Sequence, residues 1–156
     1  MKGDAEIIEA LNDVLTAELT AINQYYIHYK MCENWGYARL AAHHRAESIE
    51  EMQHADKLIE RILFLEGVPN MQRLNPVRVG ENVKEQHQVD MALELEAQKR
   101  LNEGIKLCRD KGDNGTRALF EAILVDEEEA IDWAEAQLEQ IETIGIENYL
   151  AEQLFE

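Results

Sequence analysis

The placement of helix breakers constrains this chain more than any other feature. Strong breakers fall only near Asn34 to Gly36, Gly67 to Gly80, Gly112 to Gly115 and Gly145. Between them lie four segments of about 30 residues and a short tail, so at 1.5 Å per residue each long segment predicts a helix on the order of 45 Å. The spacing predicts helices over about 4–34, 37–66, 82–111 and 116–143, with a short one over about 146–154; Asp4 and Thr116 are candidate N-caps. Four rods of equal length make an all-α bundle, and 156 residues suit a single domain. With eight glycines and only two prolines, a Gly-rich all-β chain is excluded.

The joints predict the topology. Short turns near Trp35-Gly36 and Gly112 to Gly115 fold neighbouring helices back antiparallel. The middle joint, some 14 to 16 residues extended at about 3.3 Å each, reaches roughly 45 to 50 Å. That is enough to traverse the bundle and start the third helix parallel to the second, a bundle with one long crossover. The tail carries Ile146, Tyr149, Leu150 and Leu154 on one face and is too short to stand alone, so it is expected to pack on something, such as another subunit.

Charge narrows the partners. Fifteen Lys and Arg against 32 Asp and Glu give a net charge of −17, which repels nucleic acid and anionic lipid and attracts cations. No long apolar run occurs, and acids occupy the start where a signal peptide needs an apolar core, so no membrane span and a cytoplasmic location are expected. Cys32 and Cys108 read as reduced, non-ligating thiols.

The chemistry lies in what interrupts the inward stripes. In the first helix the apolar repeat Ile7, Leu11, Leu15, Ile22, Tyr25 is broken by Glu18; in the second, Glu51 and His54 share one face at i and i+3. Glu94 precedes the stripe of the third helix, and Glu127 interrupts that of the fourth. Glu18 to Glu51 and Glu94 to Glu127 have the same 33-residue spacing, so the two hairpins look like copies. Four carboxylates converging in a dry core would repel one another and become neutral unless cations sit among them. Oxygen ligands with one imidazole suit iron or manganese better than structural zinc. Tyr25 and Trp133 flank this level and are candidates for passing electrons, whereas His28, His43, His44 and His87 show no ligand spacing. Glu47 and Glu50, one turn before the pair, read first as a solvated helix surface.

The motifs MKGD…I…LN at the start, EL-x-AINQY around Glu18, ESIEEMQHADKLIERILFLEG through the second helix and DEEEAIDW in the fourth resemble the bacterioferritins over the whole chain. The resemblance implies a ferritin-like four-helix bundle and a ferroxidase centre whose di-iron ligands are Glu18, Glu51, His54, Glu94 and Glu127, with Glu51 and Glu127 bridging. It also implies haem b held by Met52 from each of two subunits across a twofold axis. A homo-oligomeric cage of twenty-four subunits follows, storing iron taken up as Fe(II) and oxidised by oxygen or peroxide, with a ferredoxin-type reductant serving release through haem. One position departs from the family pattern: histidine is expected at 130, and this chain has Ala130. The oxidation step is therefore expected to be weakened. Two origins stay open, an engineered truncation and a naturally degenerate subunit. Two other readings also stay open: a haem-binding, cage-forming subunit without a competent centre, and an acidic interaction protein without metal.

Overall fold

A computed structural model describes residues 1–155. Four long helices, α1 (Ala5–Trp35), α2 (Ala38–Phe64), α3 (Val83–Lys111) and α4 (Asn114–Ile144), are followed by α5 (Ile146–Ala151). The sequence-based bounds hold to within about two residues, except at α5, which ends three residues earlier than expected. No described helix is long and apolar enough to cross a membrane.

The caps explain the differences. Asp4 caps α1 as expected, its carboxylate accepting from the Glu6 and Ile7 amides at 2.8 and 3.3 Å. The cap of α4 is Asp113 rather than Thr116, because Asp113 accepts from the Thr116 amide and hydroxyl and also holds Arg61. At the end of α2 the Glu66 and Gly67 amides turn back to the Leu63 and Ile62 carbonyls, with Glu66 in the left-handed region at φ 63°. That closing motif stops the helix at Phe64, two residues short of Glu66.

The crossover, residues 65–82, climbs along α1 in the same direction as that helix. A ladder of α1 side chains four residues apart holds it. Asn12 accepts from the Asn70 amide, Thr16 from Arg73 Nε, Thr20 from the Asn75 amide, Gln24 from the Arg78 amide and His28 from the Gly80 amide, all at 2.8 to 3.1 Å. Four of these bonds satisfy backbone amides that no helix or sheet serves, and the Thr16 rung holds the Arg73 guanidinium. A Cβ at Gly80 would lie 2.4 Å from the Gln86 amide nitrogen, so only glycine lets the strap enter α3.

Packing divides along the bundle. Ile7, Leu11, Leu58, Ile62, Leu101 and Phe120 belong to a continuous apolar cluster at one end; Cys32, Leu40, Val83, Ile141 and Tyr149 form a second at the other. Tyr149 changes the reading of the tail. Its side chain is 1% exposed, and its hydroxyl donates to Gln137 within the same subunit. Leu150 also packs against that cluster, so the inner face of α5 is spent on its own bundle. Ile146 and Leu154, at 39% and 45% exposed, remain outward.

Candidate metal centre

Between the two apolar clusters the helices bring the five sequence-predicted residues into one layer. Glu18, Glu51, His54, Glu94 and Glu127 are each no more than 5% exposed. Ligand atoms of Glu18, Glu51, His54 and Glu127 all lie within 4.8 Å of one another. His54 Nδ1 is the hub, at 3.2 Å from Glu127 Oε1, 3.5 Å from Glu18 Oε2 and 3.7 Å from Glu51 Oε2. Glu94 stands beside this group, accepting a 2.7 Å hydrogen bond from the Tyr25 hydroxyl. Tyr25 thus acts at this level by positioning a carboxylate, while Trp133 stacks face to face on His43 at 3.4 Å.

Five of these ligand-type atoms have no hydrogen-bond partner despite full burial: Glu18 Oε2, Glu51 Oε2, His54 Nδ1, Glu94 Oε2 and Glu127 Oε1. A core that orphans five charged-type atoms in one layer is built to receive a cation. The donor set of four carboxylates and one imidazole fits iron or manganese.

Asp126 is the residue sequence reasoning missed. Its Oδ2 lies 2.8 Å from His54 Nε2, so the imidazole is held from behind and Nδ1 faces the carboxylates. The only signal was its place beside Glu127 in an acidic run. Asp126 is also part of a second acidic group, with Glu50 and His54, at the half-exposed rim of the layer.

The electrostatics report the same strain. Burial pushes the Glu127 carboxyl up to about 7, aided by repulsion from Glu18 and opposed by hydrogen bonds with Glu94 and His54. Burial and then the Glu127 charge push Glu94 well above the usual carboxylate range. Glu18 is likewise raised by burial, with His54 opposing. Burial works against the His54 charge, but the nearby Glu127 and Glu18 carboxylates outweigh it and raise the imidazole to about 11. Protons therefore compete with cations for this layer, the shifts favouring a charged His54 and a neutral Glu94 carboxyl.

This has a sign that can be measured. Glu127 titrates near 7 in the folded chain and near 4.3 in an unfolded one, so its stabilising proton is fully present below about pH 4 and lost as pH rises through 7. His54 acts in the same direction, its contribution complete below about pH 6.5 and lost towards 11. Mn(II) is expected to raise the melting temperature more at about pH 8 than at about pH 5.5, because fewer protons compete with the ion for Glu127 and His54 at the higher pH. Calorimetry checks this; equal metal-induced shifts at both pH values would contradict the charge distribution.

A ferritin-like domain matches residues 8–144. The bacterioferritin of Mycolicibacterium paratuberculosis is 51% identical over 152 residues, spanning 97% of this chain and 96% of that protein. The chain belongs to the bacterioferritin family. The bacterioferritin of Streptomyces coelicolor is 53% identical over 151 residues, covering 97% and 90% of the two chains, and that of Brucella melitensis 49% over 149 residues, covering 96% and 92%. Position 130 is occupied by Ala130. It is 8% exposed on α4, one turn after Glu127, and α4 carries no histidine.

Met52 faces away from the carboxylate layer. Its side chain is 56% exposed, with Ile49 at 40% beside it on α2 and Tyr26 at 55% on α1. The Ser48 hydroxyl donates to the Ile22 carbonyl at 2.9 Å, which ties these two helix faces together. An outward thioether among exposed apolar side chains is a surface suited to an apolar partner.

Proposed function

We propose that this bacterioferritin stores and detoxifies iron, taking Fe(II) as substrate at an intrasubunit di-iron ferroxidase centre and depositing ferric mineral inside a cytoplasmic cage of twenty-four subunits. The observation that carries the reading is the layer of five buried, partnerless ligand atoms on Glu18, Glu51, His54, Glu94 and Glu127. Their positions on four helices of a family member explain why such costly groups are retained.

The work of each residue follows from its contacts. Glu18, Glu51, Glu127 and His54 Nδ1 form the better-made half, which takes Fe(II) in exchange for the His54 proton. Asp126 accepts from His54 Nε2 and keeps the lone pair of Nδ1 aimed inward. Tyr25 restrains Glu94, which with Glu51 and Glu127 serves the second half, where Ala130 supplies no donor. Each Fe(II) gives one electron to oxygen or peroxide and leaves as Fe(III) for the mineral. The net charge of −17 draws Fe(II) towards the shell.

The exposed Met52 thioether would hold haem b between two subunits, one Met52 from each. Haem held in this way would supply electron transfer to the mineral, with a ferredoxin-type reductant as the source. Ala130 favours one second reading, a cage-forming, haem-binding subunit whose ferroxidase centre is incompetent.

An oxygen-dependent Fe(II) oxidation assay on the assembled protein and on Glu18→Ala tests the primary reading. The variant is expected to lose the protein-catalysed phase by at least about tenfold while keeping the helical fold. Identical progress curves would assign any oxidation to a different place.

A further inference from the structure

Two guanidiniums line one cavity between α1, the crossover and α3, in a chain whose acidic side chains outnumber its basic ones 32 to 15. The cavity measures about 340 Å³. Buried Thr20 and Leu93 form its floor, Asn75 and Arg78 enter from the crossover, and Glu96 and Arg100 from α3. Leu93 adjoins Glu94, so the cavity lies at the level of the carboxylate layer but outside it.

Arginines elsewhere in this fold are spent on acids, Arg73 on Asp13 at 2.7 Å and Arg61 on Asp113 at 2.9 Å. Arg100 is not. Among the described residues its half-buried guanidinium donates no hydrogen bond and has no carboxylate within 4.0 Å. Glu96 stands four residues before it, the favoured order for a helical ion pair, yet Glu96 Oε2 accepts from Arg78 Nη2 at 3.2 Å instead. Arg78 is anchored in turn, because its amide donates to Gln24 at 3.1 Å. The floor gives Arg100 no acceptor either: the Thr20 hydroxyl donates to the Thr16 carbonyl at 2.7 Å and accepts from the Asn75 amide at 2.9 Å. The cavity therefore carries two positive charges against one committed negative charge, a local reversal of the field of the chain.

We propose that Arg78 and Arg100, with the side-chain amide of Asn75, bind a free tetrahedral oxyanion such as inorganic phosphate. The planar fork of Arg100 supplies paired donors that match two oxygens of one anion, and Arg78 keeps donors beyond the one given to Glu96. A tetrahedral anion offers oxygens to both forks at once, which a carboxylate with two oxygens does not. The site takes a ligand of the opposite charge to the one drawn by the carboxylate layer, and it shares no side chain with that layer.

The test is calorimetric titration of inorganic phosphate into the assembled, metal-free protein. One saturable site per chain is expected, competed by sulfate and not by an equal concentration of chloride. Arg100→Gln should weaken phosphate at least about tenfold, the effect of losing a charge-assisted hydrogen-bonded pair, and Arg100→Lys, which keeps the charge without the fork, should fall between. Arg45→Gln, which removes an exposed guanidinium elsewhere on α2, should leave the affinity unchanged. Undiminished phosphate binding by folded Arg100→Gln, an equal loss in Arg45→Gln, equal competition by chloride, or no saturable binding overturns the proposal. A phosphate monoester that binds more tightly than phosphate itself overturns the assignment to the free anion. Should Arg100→Gln fail to fold, Arg78→Gln decides by the same tenfold criterion.

Discussion

Placing at position 130 the imidazole that the family resemblance implies, with Ala130→His, is expected to speed oxygen-dependent Fe(II) oxidation at least about tenfold and to raise tight Fe(II) binding from one ion per subunit to two. Perturbing even an outer partner of a metal ligand commonly costs about 10- to 100-fold in affinity or activity, and a direct ligand should be worth no less. The geometry favours this result. Position 130 follows Glu127 by one turn on the inward face of α4, and side chains lean towards the helix N-terminus, so an imidazole there leans back over Glu127. In its absence Glu94 is held by the Tyr25 hydroxyl, and burial with the Glu127 charge favours its neutral form. Inserting a ring at a site only 8% exposed is expected to cost about 1 to 3 kcal/mol, which thermal melting will show and the fold should bear. If the restored protein binds no more iron and oxidises it no faster, Ala130 is not a lost ligand and Glu94 does not serve a second ion.

Met52→Leu is expected to abolish haem binding while leaving the bundle intact. Leucine keeps the apolar surface and removes only the sulfur, and a side chain already 56% exposed contributes little to the core. Reconstituted wild-type protein should show the absorption and magnetic circular dichroism of haem with two thioether ligands. The variant should show neither, with a melting temperature within a few degrees of wild type. Retention of the two-thioether spectrum would move the haem ligand elsewhere.

What was legible in the sequence follows from periodicity and breakers. Glu18, Glu51, His54, Glu94 and Glu127 could be placed because each interrupts an apolar stripe or, for Glu94, stands at the head of one, and a stripe fixes a direction. The crossover direction was legible because its length allowed it to traverse the bundle. The rungs that hold it were not, since Asn12, Thr16, Thr20, Gln24 and His28 look like ordinary polar positions until a strap lies along them. Asp126 was hidden because an acidic run reads as solvated surface, and only the approach of His54 gives it a purpose. The tail misled for a related reason: an apolar face says that α5 must pack, whereas Gln137 and His87 decide that Tyr149 packs at home.

The central claim is that Glu18, Glu51, His54 and Glu127 are held apart from water to bind Fe(II). Anaerobic Fe(II) titration at about pH 7, with uptake and released protons measured together, tests it most directly. One tight Fe(II) per subunit is expected, with release of at least the proton that His54 holds in the metal-free state, and Glu51→Ala should lose both signals. Tight uptake without proton release, or the same uptake and release by Glu51→Ala, would contradict it.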